Sequence, residues 1–236
     1  MITLASHIDH TILKPTATLF DIEKICNEAL EYGFAAVCVP PPFVAVAQAF
    51  GVRTATVIGF PFGYSAVAAK LAEVGQVIAD GVDELDIVIN LVLLKGGRWS
   101  ELEEEMTVLT ARAHAGGKIV KVIIESGILS DEEIIRCCKL YSRVGVDFLK
   151  TSTGYAEKGA SVEAVQLMRQ HLPAAIRIKA SGGIRDAVFA RQLVAAGADR
   201  LGCSASVAIV REDEEARRKT DEVSGRADLS GRADYY

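Results

Sequence analysis

The chain has 236 residues, 50% hydrophobic and 24% charged, with 20 glycines against 6 prolines, which suits one sizeable α/β domain better than two small ones. Its formal net charge of −5 argues against nucleic acid or an anionic membrane as the main partner, so any anion site must be local. Five scattered cysteines without a CxxC pair or zinc spacing, no signal-peptide pattern and no apolar run of ~20 residues lead us to expect a soluble, cytoplasmic protein with free thiols. In chain order, strand-like runs alternate with helical patterns. Ile8–Leu13 precedes a helix over Thr18–Tyr32, Ala35–Pro40 one over Pro42–Phe50, and Thr54–Phe60 one over Ser65–Ala79. Glu84–Asn90 then leads to Trp99–Ala115, Ile119–Ser126 to Ser130–Arg143, and Phe148–Gly154 to Ser161–His171. Ile176–Gly183 leads to Asp186–Ala196, and Arg200–Ala205 to Ser204–Arg218.

The joints repeat as well. Gly33-Phe34-Ala35, Gly81-Val82-Asp83, Gly145-Val146-Asp147 and Gly197-Ala198-Asp199 each end a helix on glycine and enter a strand. Eight such units in about 210 residues predict an α/β fold of one kind, a single (β/α)8 TIM barrel. The runner-up, an open doubly wound sheet, usually carries GxGxxG after its first strand, and none is present. Residues 1–211 form the expected catalytic barrel. Residues 212–236 read as a charged helix extension and flexible tail, with Ser-Gly-Arg-Ala-Asp twice before Tyr235-Tyr236.

Two lysines stand in matching frames at the ends of apolar runs, 29 residues apart: Lys150-Thr151-Ser152-Thr153-Gly154 and Lys179-Ala180-Ser181-Gly182-Gly183. Taken singly, each could snorkel from the barrel mouth or pair with a carboxylate. As neighbours they disfavour each other's charge. Burial and like charge both lower an amine's pKa, and a neutral amine attacks carbonyls, so the pair points to Schiff-base chemistry. The hydroxyls of Thr151, Ser152 and Thr153 suit a polyol.

Asp86, inside Glu84-Leu85-Asp86-Ile87-Val88, needs a cation or donors there, and a lysine across the barrel is the natural partner. It is either a proton carrier for carbon–carbon chemistry or a plain ion pair. Asp9 poses the same question more weakly. Lys121 lies well before its strand's end and reads as structural, ion-paired in the barrel interior. Ser181-Gly182-Gly183 and Gly202-Cys203-Ser204 fall where such barrels often hold phosphate, with Arg185 or Lys158 to add charge. No HExxH, P-loop or acidic metal cluster is present, which suits a reaction without metal or other cofactor.

Six ordered motifs carry a family resemblance across about residues 4–210: Ile8-Asp9-His10-Thr11-Ile12-Leu13-Lys14-Pro15, Val57-Ile58-Gly59-Phe60-Pro61, Asp83-Glu84-Leu85-Asp86, Val122-Ile123-Ile124-Glu125, Lys150-Thr151-Ser152-Thr153-Gly154 and Lys179-Ala180-Ser181-Gly182-Gly183-Ile184-Arg185. The chain resembles the deoxyribose-phosphate aldolases. The resemblance implies a class I aldolase that reversibly cleaves 2-deoxy-D-ribose 5-phosphate to acetaldehyde and D-glyceraldehyde 3-phosphate. It assigns the Schiff base to Lys150, the pKa-lowering role to Lys179 and the proton relay to Asp86, a choice between lysines that spacing could not make. It places Asp9, Thr151, Gly154, Gly182, Gly183, Gly202 and Ser204 around substrate and phosphate, and suggests a homodimer. Two positions depart from it: Pro40, within Cys38-Val39-Pro40-Pro41-Pro42, where similar sequences have Asn, and Ala205, where a second serine is common. A terminal tyrosine folds over the mouth in some relatives, as Tyr236 could here. The rivals are another Schiff-base sugar-phosphate aldolase or transaldolase, and a catalytically silent phosphate-binding barrel.

Overall fold

The structure, a computed structural model, describes residues 3–230, with side chains through Lys219. Eight parallel strands close in sequence order: β1 (Ile8–Thr11), β2 (Ala36–Val39), β3 (Thr54–Ile58), β4 (Glu84–Val88), β5 (Ile119–Ile123), β6 (Phe148–Lys150), β7 (Arg177–Ser181) and β8 (Arg200–Cys203), with β8 pairing back onto β1. Around them lie α1 (Leu19–Tyr32), α2 (Val44–Ala49), α3 (Val67–Ala79), α4 (Leu91–Lys95), α5 (Trp99–Ala115), α6 (Asp131–Val144), α7 (Val162–His171), α8 (Ala187–Ala195) and α9 (Ser206–Ser230). This is the (β/α)8 barrel expected.

Local signals set the joints. Thr18 and Ser130 close capping boxes with Asp21 and Glu133, satisfying the first amides of α1 and α6. Gly33 and Gly145 end those same helices at φ 67° and 80°, a conformation glycine adopts without a Cβ penalty.

The structure differs from expectation at three places, two of them with a local cause. Most strands stop earlier than their apolar runs, β6 by four residues, because the chain beyond Lys150 leaves the ladder to form the rim of a cavity. The unexpected α4 follows Asn90, whose side chain caps it by accepting from the Leu93 amide at 3.1 Å. Helix α9 runs to Ser230, past the expected end at Arg218. Tyr235 and Tyr236 lie outside the described residues.

Alternation along each strand sends one set of side chains to the helices and the other into the lumen. Ile8, Val37, Leu85, Val120, Leu149 and Ile178 join the helices in one continuous buried apolar layer. The lumen is divided. Cys38, Ala55 and Val57 form a small apolar cluster with Leu13 and Phe60 near its mouth, and a buried charged network from β1 and β4–β8 lies beside it. Among the described residues no helix is long and apolar enough to cross a membrane. All five cysteines are free and buried.

Candidate active site

Strand register brings the charges together. Asp86 on β4 lies beside Lys121 on β5, Lys150 on β6 beside Lys179 on β7, and Lys179 beside Arg200 on β8. One oxygen of Asp86, Oδ2, accepts from Lys150 Nζ and from Lys179 Nζ, each at 2.7 Å, while Oδ1 accepts from Lys121 Nζ at 2.7 Å. Below this layer Lys179 pairs with Asp9 at 2.5 Å, Lys121 with Glu84 at 2.6 Å, and Arg200 spans Asp9 and Glu84 at 2.6 and 2.9 Å. Arg53 reaches Glu84 from the solvent side at 2.5 Å.

The interior charges of Lys121, Lys150, Lys179 and Arg200 number four, against three from Asp9, Glu84 and Asp86. Within this directly paired set the cations exceed the carboxylates by one, and the buried carboxylate of Glu125 also acts on Lys150 from outside it. Charge this deeply buried is costly unless paired, so the balance around each amine decides its protonation.

The local fields select the amine. Burial pushes the Lys150 pKa down; Asp86 opposes this, Lys179 adds to it, and the net direction is down. Burial acts the same way on Lys179, but Asp86 and Asp9 together outweigh it and raise that pKa above the ordinary lysine range. Lys121 is raised as well, burial being outweighed chiefly by Asp86. Burial pushes Asp86 up, yet the three lysines overcome it and hold the carboxyl well below its usual range. For Glu84 the same contest, with Lys121 and Arg200 winning, leaves the pKa at about 2.

Access separates the lysines too. A cavity of about 230 Å³ opens at the C-terminal ends of the strands, and Lys150 lines it. Lys179 is fully buried beneath and does not. Gly202 makes this stacking possible: a Cβ there would stand 2.8 Å from that of Ser181 and 3.2 Å from Cε of Lys179. Gly154, Gly182, Gly183, Gly202, Ser204 and Arg185 all line the cavity as well. Gly182, at φ 89°, sits where the loops after β6 and β7 meet, since a Cβ would come within 3.1 Å of Gly159 Cα and 3.4 Å of Gly154 Cα.

Several expected residues lie elsewhere. Thr151 faces away from the lumen: its hydroxyl donates to the Ser181 carbonyl at 3.2 Å and accepts the Ser181 amide at 3.0 Å, tying β6 to β7. Asp9 is fully buried among Lys179 and Arg200 and does not line the cavity; nor do Lys158, Pro40 and Ala205. Lys121 is ion-paired in the interior, as its place in the strand suggests, but it touches Asp86 as closely as the other two lysines do. Ser181 lines the cavity with the loop it opens, Thr11, Leu13 and Ile184 line it unforeseen, and Glu84 and Arg200 join the charge cluster. Period-two alternation was the available signal: Glu84 shares a strand face with Asp86, and Thr11 shares one with Asp9.

Known proteins carry the same barrel. A family model described as DeoC/LacD family aldolase matches residues 3–211. The deoxyribose-phosphate aldolase of Thermoanaerobacter sp. (strain X514) is 45% identical over 214 residues, spanning 89% of this chain and 96% of that protein. The solved structure of "QR15, an Aldolase" superposes with a TM-score of 0.87 at 36% identity, covering 92% of this chain and 98% of that one. The deoxyribose phosphate aldolase from Aeropyrum pernix, described as tetrameric, superposes with a TM-score of 0.84 at 34% identity over 89% and 91% of the two chains.

Proposed function

Because the chain belongs to the DeoC/LacD aldolase family, we propose that it cleaves 2-deoxy-D-ribose 5-phosphate reversibly to acetaldehyde and D-glyceraldehyde 3-phosphate, with Lys150 as the Schiff-base nucleophile. The observation that carries the assignment is the division between the lysines. Lys150 faces the cavity with its pKa pushed down, while Lys179 lies beneath it with its pKa pushed up.

In the cleavage direction, the neutral Lys150 amine attacks C1 of the open-chain sugar phosphate. Loss of water leaves a protonated imine, an electron sink. C2 is then the α-carbon and C3 carries the hydroxyl, so the scissile bond is C2–C3. Removal of the C3 hydroxyl proton turns C3 into the aldehyde carbon of glyceraldehyde 3-phosphate, and the C2–C3 electrons flow into the imine to give the enamine. Protonation at C2 and hydrolysis release acetaldehyde and restore Lys150.

Asp86 suits a relay, since a single oxygen bridges Lys150 and Lys179, and the C3 proton reaches this group through water in the cavity. Lys179, kept cationic, holds Asp86 ionised and repels a proton from Lys150. The glycine loops with Ser204 and Arg185 form the polar end of the cavity and suit the phosphate, whose distance from the reacting carbons orients the chain. We assign Gly154, Gly182, Gly183, Gly202 and Ser204 to this end. Asp9 acts through Lys179 and Thr151 through the β6–β7 joint, so neither needs to touch substrate. We further infer a cytoplasmic enzyme and a homodimer, which light scattering on the purified protein would check.

Reductive trapping tests the assignment. The protein is incubated with acetaldehyde or deoxyribose 5-phosphate and a hydride reductant, then weighed intact, and the modified peptide is sequenced. An adduct on Lys150 is expected. An adduct on Lys179 would keep the chemistry and exchange the roles, and no adduct with either carbonyl would favour a silent phosphate-binding barrel.

A further inference from the structure

Just past β5, Glu125 adopts φ 48° and ψ 56°, the only positive φ outside glycine among the described residues. A left-handed turn costs a residue with a Cβ roughly 1–2 kcal/mol and persists only where its surroundings impose it. The side chain is 3% exposed, and among the described residues it forms no ion pair. Its hydrogen bonds instead all come from one residue, while its charge also acts on Lys150. The Thr153 hydroxyl donates to Oε2, and the Thr153 amide lies 3.3 Å from Oε1 and 3.4 Å from Oε2.

The contacts continue across the cavity mouth. Thr153 Oγ accepts the Tyr155 amide at 3.0 Å, and the Tyr155 hydroxyl donates to the Leu13 carbonyl at 3.0 Å. Between them Gly154 lies against Gly182. Leu13, Thr153, Gly154 and Gly182 all line the cavity. The turn after Glu125 abuts the same loop, for a Cβ on Gly127 would come 2.3 Å from the Lys158 carbonyl oxygen.

We propose that Glu125 is a positioning residue, which sets the Thr153–Gly154 wall of the cavity and through it the affinity for the phosphorylated substrate, without touching that substrate. The proposal rests on the phosphate assignment above. Its chemistry is specific to a carboxylate. Thr153 presents two donors, N–H and O–H, and two acceptor oxygens meet them. Glutamine has nearly the same shape but one oxygen, so its amide N–H₂ would face a donor.

The test uses full-length Glu125→Gln, Thr153→Val and the double variant, with three readings: KM for deoxyribose 5-phosphate, calorimetric affinity for inorganic phosphate, and reductive trapping of acetaldehyde on Lys150. Glu125→Gln is expected to raise KM and weaken phosphate binding ~10-fold, the scale of one charge-assisted hydrogen bond. Acetaldehyde trapping should stay at the wild-type level, because two carbons on Lys150 do not reach that wall. In the Thr153→Val background the further loss should shrink to about threefold or less, because the coupling runs mainly through that hydroxyl. Wild-type KM and phosphate affinity in Glu125→Gln would overturn the proposal, and so would equal losses in sugar binding and acetaldehyde trapping. If Glu125→Gln does not fold, Thr153→Val decides alone, and an unchanged KM there overturns it. A wild-type protein that binds phosphate but does not cleave the sugar removes the substrate; a phosphate-affinity loss in Glu125→Gln would still uphold the positioning role.

Discussion

The two faces of the barrel wall follow opposite rules. Toward the helices Leu85, Val120, Leu149 and Ile178 are fully buried in apolar surroundings, where any similar volume would serve. Toward the lumen their immediate neighbours Asp86, Lys121, Lys150 and Lys179 are equally buried, but each is defined by a charged partner at 2.7 Å or less. The first face supplies stability through area removed from water. The second spends stability on a charge arrangement that leaves one reactive amine at a cavity. Burial alone therefore does not distinguish scaffold from site. The partner does.

The sharpest way to break that contrast is Lys150→Ala. Turnover should fall by ~10⁴-fold or more, the scale of removing a covalent nucleophile, while circular dichroism stays unchanged; near-normal rates would rule out Lys150. Asp86→Asn comes next. It removes the anion shared by three lysines and should destabilise the fold by about 3–5 kcal/mol while slowing cleavage strongly. Some acetaldehyde trapping should survive, and a normal rate would take Asp86 out of the mechanism.

Leu85→Ala, one residue away on the opposite face, should cost a similar ~2–5 kcal/mol in denaturant unfolding. Its kcat at temperatures where it remains folded should match wild type. A kcat loss as large as that of Asp86→Asn would mean that the two faces are not independent. Gly202→Ala should cost ~1–3 kcal/mol through overpacking and lower activity, because Lys179 and Ser181 must move; full activity would show that the lumen has slack.

The smallest effect at neutral pH lies in the pH profile. Only the neutral amine of Lys150 attacks, and its pKa is lowered, so the protonation state that limits activity is reached below the ordinary lysine range. Covalent trapping should thus fall as pH drops through that lowered pKa, and the fall should set in below the ordinary lysine range. A trapping rate that climbs only near pH 10.5 would place Lys150 in a water-like setting, against its burial under the cavity.

Much of this was legible in the residues. Eight apolar runs, four helix-ending glycine joints and the capping residues Thr18 and Ser130 are local signals, set within a few positions of chain, and they determined the (β/α)8 order. The matched Lys-x-Ser-x-Gly frames and Asp86 marked where chemistry belonged, since a charge inside an apolar strand needs a partner. Long-range register was not legible. Only closing the barrel set Lys150 beside the cavity and Lys179 under it, turned Thr151 outward, and brought Glu84 and Arg200 into one network with Asp9. The physical reason is that a pKa and an exposed amine depend on neighbours from strands up to about 190 positions apart, such as Asp9 and Arg200. Local sequence selects residue types; the assembled field around each one selects its role.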